Sequence, residues 1–165
     1  MSANPYYCFC FNVEQEKQAQ ILQVKANGGA GIEFSIGEKS YIAVAVYKDK
    51  ELADKIASKN NGIVRQISLP SLTFYDKNQA NDTKISYDNI SFYLSQLIDL
   101  SNEFDNRRAT DSVLKSGIDR YIHFIQSSQF EYFPKNLENN EQNLGAHIKF
   151  LACDLLFYAV DFFSQ

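Results

Sequence analysis

The residues with the types and spacing to do chemistry are few, and the clearest set lies near the C terminus. His147, Asp154 and Asp161 recur at intervals of seven residues, which places them on one face of a helix. An imidazole and two carboxylates in such a row can bind a divalent metal or act in acid–base catalysis. A polar stripe of this kind is more often the solvated side of an amphipathic helix. We therefore predict neither a metal site nor a catalytic site here.

Two other motifs invite a chemical interpretation. The run Gly28–Gly31 has the composition of a phosphate-binding loop, but it lies between a predicted helix and a predicted strand. Phosphate loops follow a strand and open a helix, so this order argues against one. Arg107 and Arg108 could bind an anion, although basic residues near a helix end more often interact favourably with the helix dipole. With no GxSxG motif present, the sequence predicts a protein that is not an enzyme and needs no cofactor.

The charge balance argues against a nucleic-acid partner, and the number of cysteines argues against a disulfide framework. The net charge is −4, and the excess of acidic residues lies after residue 70. No basic patch is present to neutralise phosphates, so we expect no nucleic-acid partner. The three cysteines, Cys8, Cys10 and Cys153, are an odd number, and we expect them to be buried and reduced.

No signal peptide or membrane span is visible in the sequence. The longest apolar stretch, Phe150–Phe163, is too short to cross a bilayer and contains Asp154 and Asp161. The chain as given is expected to be soluble, so that membrane association would need an anchor absent from it.

The main organising signal is an internal repeat with an offset of 34 residues. The stretches Tyr7–Val13 and Tyr41–Tyr47 both read as apolar strands, and each is followed by an alanine on an amphipathic helix. Two further strands are predicted at 32–36 and before Leu69-Pro70. The order is βαββαβ, and two similar halves favour a ferredoxin-like or RNP-like α+β fold with a four-stranded antiparallel sheet over residues 5–70.

The second half of the chain has helical periodicity. Residues 71–86 are polar and read as a linker, and residues 87–165 contain three helical patterns. Pro134 and the polar stretch 136–142 separate the last two patterns. This three-helix region is predicted either to pack on the sheet or to form a small bundle of its own.

The repeat resembles the SPOR domain, the sporulation-related repeat of bacterial envelope proteins, over about residues 5–69. The resemblance lies in two apolar strands that end in a large residue, with Ala19 and Ala53 six positions later, and in the Gly28–Gly31 segment. It implies a βαββαβ fold that binds peptidoglycan glycan strands lacking stem peptides at division or sporulation septa. Members carry Gln and Gly on the open face of the first strand, where this sequence has Phe9 and Phe11.

Because side chains alternate along a strand, the repeat predicts which residues lie on each face of the sheet. If Ile42, Val44 and Val46 point towards the first two helices, the repeat places Cys8 and Cys10 beside them. The opposite face then carries the candidate ligand-binding residues, which are Tyr7, Phe9, Phe11, Tyr41 and Tyr47. So large an apolar patch is rarely left bare. We predict that the C-terminal helices cover it through Leu151, Leu155, Tyr158 and Phe162, the alternative being a face that binds a ligand or a second subunit.

The functional prediction has two branches. In the first, a SPOR-like module of the cell envelope, on its extracytoplasmic side, binds peptidoglycan and serves sporulation or division. In the second, the same scaffold is a protein-interaction or assembly module with its glycan-binding face covered. The partner is accordingly a glycan strand or an envelope protein, with a homodimer as a further option. The reduced cysteines favour the alternative of a cytoplasmic location.

Overall fold

The computed structural model describes residues 4–70, 77–127 and 143–164, with the backbone alone described for residues 77–85. The elements are β1 (Asn4–Asn12), α1 (Lys17–Ala26), β2 (Ile32–Ile36), β3 (Lys39–Tyr47), α2 (Lys50–Lys59), β4 (Ile63–Leu69), α3 (Lys77–Asp105), α4 (Asp111–Ser127) and α5 (Leu144–Phe163). The predicted separation of the last two helices at Pro134 and residues 136–142 lies outside the described residues.

The four strands form one antiparallel sheet in the order β2-β3-β1-β4. The predicted fold class is confirmed: a ferredoxin-like βαββαβ sheet followed by three helices. The repeat produces this order because each half contributes one central strand, β1 or β3, and one edge strand, β2 or β4.

The helices α1 and α2 lie on one face of the sheet. Ala53 and Ala57 of α2 are buried in a cluster with Phe9 and Tyr47, and the small alanines let the helix approach the strands. The α2 helix begins at Asp49, whose side chain accepts a hydrogen bond from the Glu51 amide over 2.9 Å. The two helices and the sheet face beneath them form the α1–α2 face.

The other face is covered by α5, which contacts β2, β3 and β4. Leu151 and Leu155 are buried in the shared core, whereas Tyr158 is only partly buried. The ring of Phe157 lies instead against the sheet, stacked on Phe34 with 4.7 Å between ring centroids. The helices α3 and α4 pack against α5. We call the sheet face under α5, together with these three helices, the α5 face.

The predicted assignment of residues to faces is wrong for β1 and for half of β3. Cys8 and Cys10 lie in the core under α5, whereas Phe9 and Phe11 lie on the α1–α2 face. The register explains the error, because Phe9 pairs with Ala45 and Cys10 pairs with Ala43, so that Val44 is an extra residue in β3. Such a bulge reverses the alternation beyond it, and a one-residue slip moves every following side chain to the opposite face.

The linker prediction is also wrong over most of its length. The helix α3 begins at Lys77, inside the range 71–86 that was expected to be a loop, and residues 71–76 lie outside the described residues. Polar residues are also tolerated in the first turns of a helix, so the polarity of this stretch does not by itself indicate a loop. Over the described residues, none of the helices combines the length and the apolar character needed to span a bilayer.

Candidate functional site

A groove opens on the α1–α2 face between the two helices. Phe9, Phe11 and Val44 line it from the sheet, with Val24 on α1 and Ile56 on α2. Its volume is about 570 Å³, which is within the range of small-molecule sites in proteins. We call this cavity the α1–α2 groove.

Two glycines shape the groove. A Cβ atom at Gly29 would lie 2.8 Å from a methyl group of Val24 and equally close to one of Val44, so glycine lets the end of α1 approach β3. A Cβ atom at Gly62 would clash with the ring of Phe9, and its absence makes room for that ring. The only buried residue of α1 is Val24. The helix α1 is therefore held at its C-terminal end and leaves the space beside it open.

The structure brings four of the five predicted site residues to the α1–α2 face. Phe9, Phe11 and Tyr47 line the groove, and Tyr7 packs in the same cluster. The rings of Phe9 and Phe11 meet edge to face, with 5.4 Å between centroids, and Phe11 remains partly exposed. Of the rings that form this aromatic floor, Phe11 is the one open to a ligand, although the floor is not on the face where the sequence placed it.

Tyr41, the fifth predicted site residue, lies on the opposite face. It is only 2% exposed, packs under α5, and accepts a hydrogen bond from Nε of Arg65 over 3.1 Å. Tyr41 precedes the bulge at Val44 and Tyr47 follows it, so the two tyrosines point to different faces. No single surface of the sheet therefore holds all five residues.

Four amide side chains lie around the aromatic floor, together with the carboxylate of Glu14. Gln20, Gln23, Asn27 and Asn60 line the groove from α1 and from the ends of the two helices. Gln20 is held in place, since its Nε2 donates to the Asn12 carbonyl over 2.8 Å and its Oε1 accepts from a backbone amide. Amides donate and accept hydrogen bonds without carrying charge, which suits a neutral polar ligand.

An ion pair lies at one end of the groove. Nζ of Lys149 donates to Oδ1 of Asp105 over 2.8 Å, and Lys149 is only 7% exposed. Lys149 is near the N terminus of α5 and Asp105 is the last residue of α3, so each charge is unfavourable to the dipole of its own helix. The pair therefore stabilises the contact between the two helices rather than either helix alone.

The described titratable groups give little sign of catalytic activation. Burial raises the pKa of the Cys8 and Cys153 thiols, which keeps both protonated at neutral pH. A hydrogen bond with Cys8 lowers the pKa of the Cys10 thiol, but Cys10 is 0% exposed and out of reach of a substrate. Burial, followed by the nearby charge of Asp105, raises the pKa of Tyr47.

The row of His147, Asp154 and Asp161 is not a uniformly solvated stripe. His147 is buried, Asp154 is partly buried and Asp161 is exposed, because α5 enters the core at its N-terminal end. Within the described ranges, no three His, Cys, Asp or Glu side chains are grouped to hold a metal ion. The Arg107-Arg108 pair follows the end of α3, where Arg107 has φ +59° and the Arg108 amide donates to the Glu103 carbonyl.

Sequence reasoning missed the groove and the ion pair. The groove depends on how far apart α1 and α2 lie, which no pattern in either helix reports. The ion pair left one signal, because Lys149 is a single cation inside the apolar run from Leu144 to Leu156. A lone lysine in such a run is rarely buried without a partner.

Comparisons of the chain with family models, curated proteins and solved structures find no match. The resemblance to the SPOR family therefore rests on the residues of the repeat alone. The function has to follow from the geometry of this molecule.

Proposed function

We propose that this protein is a non-enzymatic interaction module that binds a protein partner through surfaces left free by its own helix α5. The observation that carries the proposal is the position of α5, which packs across one face of the sheet. The SPOR resemblance implies ligand binding on an open sheet face. With that face filled by Leu151, Leu155 and their neighbours, the scaffold remains available for assembly through other surfaces.

The placement of the thiols and of the groove lysine among the described residues supports a non-enzymatic role. The thiols are buried, and the single lysine of the groove is already paired with Asp105. The SPOR-like repeat is the reason to place the module at the bacterial cell envelope, on the extracytoplasmic side. In that location it would assist an assembly of envelope proteins in division or sporulation.

A second candidate function is peptidoglycan binding in the α1–α2 groove. The observation that favours it is the combination of Phe9 and Phe11 with amide side chains such as Gln23 and Asn27. Aromatic rings offer flat apolar surfaces and amides offer neutral hydrogen bonds, and a sugar ring uses both. This candidate keeps the ligand class of the SPOR resemblance and moves the site to the other face of the sheet.

One experiment separates the two candidates. Purified sacculi, with and without amidase treatment to remove stem peptides, are incubated with the protein and sedimented to measure binding. In cells, a photo-crosslinker placed at Leu22 or Phe92 identifies protein partners. A protein-interaction module gives a defined crosslinked protein and no enrichment on either type of sacculus. Enrichment that increases after amidase treatment supports the glycan candidate. Neither crosslinking nor sedimentation would count against both.

A pair of variants locates the glycan site if sacculi are bound. Phe11→Ala removes a partly exposed ring from the groove, and Phe92→Ala removes a ring that is 54% exposed on α3, away from the groove. Glycan binding in the groove is weakened by Phe11→Ala alone. Equal binding by both variants would place the glycan elsewhere.

A further inference from the structure

The two edge strands of the sheet line a common cavity next to α5. All five residues of β2, from Ile32 to Ile36, border this cavity, as do residues 66–68 of β4. Its volume is about 630 Å³, and Asp154, Phe157 and Asp161 of α5 form part of its wall. We call it the edge cavity.

The cavity lies beside α5 on one face of the sheet, because it borders strands at both edges of the sheet. The edge strand β2 forms one side of it, and all five residues of this strand border it. The hairpin of β2 and β3 turns at Gly37, which has φ +60°, and Ile36 pairs with Lys39 across the two-residue turn. In an antiparallel pair the groups alternate in direction, so Glu33 and Ser35 direct their backbone N–H and C=O away from β3.

Edge strands of natural proteins are usually protected, and this one is weakly protected. The sequence of β2 contains no Pro and no Lys, the residues that commonly block pairing at an edge. Its one charged side chain, Glu33, forms an ion pair with Lys17 over 3.2 Å. Among the described residues, no strand pairs with the outer edge of β2.

The lining of the edge cavity is acidic and aromatic. Glu33, Asp154 and Asp161 line it, and no Lys or Arg is among the described residues that do so. Phe34 and Phe157 stack at its wall. A segment beside β2 therefore meets Asp154, Asp161 and the two rings on the side of α5, whereas Glu33 points to the opposite face and is paired with Lys17.

We propose that the edge cavity binds an extended peptide segment of alternating basic and apolar residues, which adds to the sheet as a fifth strand beside β2. The backbone of the segment pairs with Glu33 and Ser35, and its basic side chains meet the carboxylates of α5. This proposal rests on the proposed function as a protein-interaction module and names the surface and the class of partner.

Charge selects this occupant over a second copy of the chain. A second β2 has no basic side chain to offer Asp154 and Asp161, since its one charged residue is Glu33, whereas a basic segment would offset these charges. Self-association through β2 is therefore an outcome that the test has to exclude.

The test uses synthetic peptides and the whole protein. A capped, fluorescent peptide of alternating lysine and valine is titrated with the protein, and its anisotropy is compared with that of two matched peptides. One has glutamate in place of lysine, and the other has the same lysines and valines with N-methylated backbone amides. We expect binding of the first peptide only. Equal binding of the N-methylated peptide would overturn the proposal, because charge alone would then explain the affinity, and so would no binding of any peptide.

Variants of the protein locate the contact. Ser35→Pro removes an outward N–H from β2, whereas Ser35→Ala keeps it, and both remove the 3.1 Å contact between the Ser35 and Ser40 hydroxyls. We expect Ser35→Pro to weaken binding about threefold to tenfold and Ser35→Ala to leave it unchanged. Equal affinity of wild type and Ser35→Pro would place the peptide elsewhere.

A second set of variants does not alter the strand. Asp154→Asn combined with Asp161→Asn removes two charges from the edge cavity, and Asp119→Asn removes one from an exposed position on α4 outside it. The paired change should weaken peptide binding severalfold, with no effect from Asp119→Asn. Sedimentation of the free protein tests the second copy, since a dimer that Ser35→Pro dissociates would overturn the choice of a basic partner.

These outcomes separate the edge cavity from the proposed function. A native protein partner that binds wild type and Ser35→Pro alike would retain the interaction module and remove the edge cavity from it. Loss of that partner's binding in Ser35→Pro would support both the interaction module and the edge cavity as its binding surface.

Discussion

On the α5 face of the sheet the side chains of Cys8, Cys10 and Ala43 are small and fully buried, whereas on the α1–α2 face Phe9 and Phe11 are large and border a groove. The difference lies in what covers each face. Small side chains let a continuous helix approach the strands closely, and large rings fill only part of the space between two separate helices. The strands are therefore closely covered where α5 crosses them, and the α1–α2 face leaves room for a ligand between its helices.

The strongest test of this contrast is a truncation at the α5 face. Leu155→Ala should lower the free energy of unfolding by about 2–5 kcal/mol, because Leu155 is 0% exposed and its removal leaves a cavity. Urea denaturation followed by circular dichroism measures the change. Leu22→Ala, at a residue that is 67% exposed on α1, is the control and should change stability by less than about 0.5 kcal/mol. Similar losses in the two variants would contradict a difference between the faces.

The second test compares two rings on the α1–α2 face. Phe9 is 4% exposed and fits beside Gly62, so Phe9→Ala should cost about 3 kcal/mol. Phe11 is partly exposed at the groove, and we expect Phe11→Ala to cost about 1 kcal/mol. The same denaturation experiment measures both. A fully stable Phe9→Ala variant would mean that the groove extends beneath this ring and that the α1–α2 face contributes little to stability.

The smallest expected effect concerns Asp154, at the edge of the α5 face. Burial raises the pKa of this carboxyl group from 3.8 to about 6. The folded state then holds the proton more tightly than the unfolded state, so the stabilisation from this group is present at low pH and is lost as pH rises through about 6. With allowance for solvent screening, the effect is on the order of 1 kcal/mol.

Urea denaturation of wild type and Asp154→Asn at several pH values measures this contribution. The stability of Asp154→Asn relative to wild type should fall as the pH is lowered from about 8 to about 4. Asp119→Asn, at an exposed position, should show no such trend. A constant difference between Asp154→Asn and wild type would mean that Asp154 is well solvated in the folded state.

The order of the strands and helices was predictable because their periodicity is local. The apolar run Tyr41–Tyr47 indicates one strand, and the helical periodicity around Leu94 and around Leu155 indicates one helix each. The faces of β1 were not predictable in the same way, because Cys and Phe are both apolar and either set can point inward. The bulge at Val44 also reverses the face to which the following side chains of β3 point, and only the pairing of β1 with β3 reveals it.

The predicted site residues and the groove overlap in part, but the sequence did not predict where the groove lies. Aromatic residues at Tyr7, Phe9 and Phe11 marked a strand with an unusual apolar surface, and three of the five predicted residues line the groove. Their location depends on the spacing of α1 and α2 and on the absence of a Cβ at Gly29. Such distances come from tertiary packing, which a single sequence does not state.

The cover provided by α5 also has a consequence for how the chain acquires its structure. The core under α5 joins Cys8 and Cys10 of the first strand to Leu151 and Leu155 of the last helix, so its two parts come from opposite ends of the chain. Contacts between such distant segments form slowly, because a long loop must close before they are made. During synthesis the sheet emerges first with one apolar face bare. Until α5 follows, that face is the part of the nascent protein most exposed to aggregation and most in need of a chaperone.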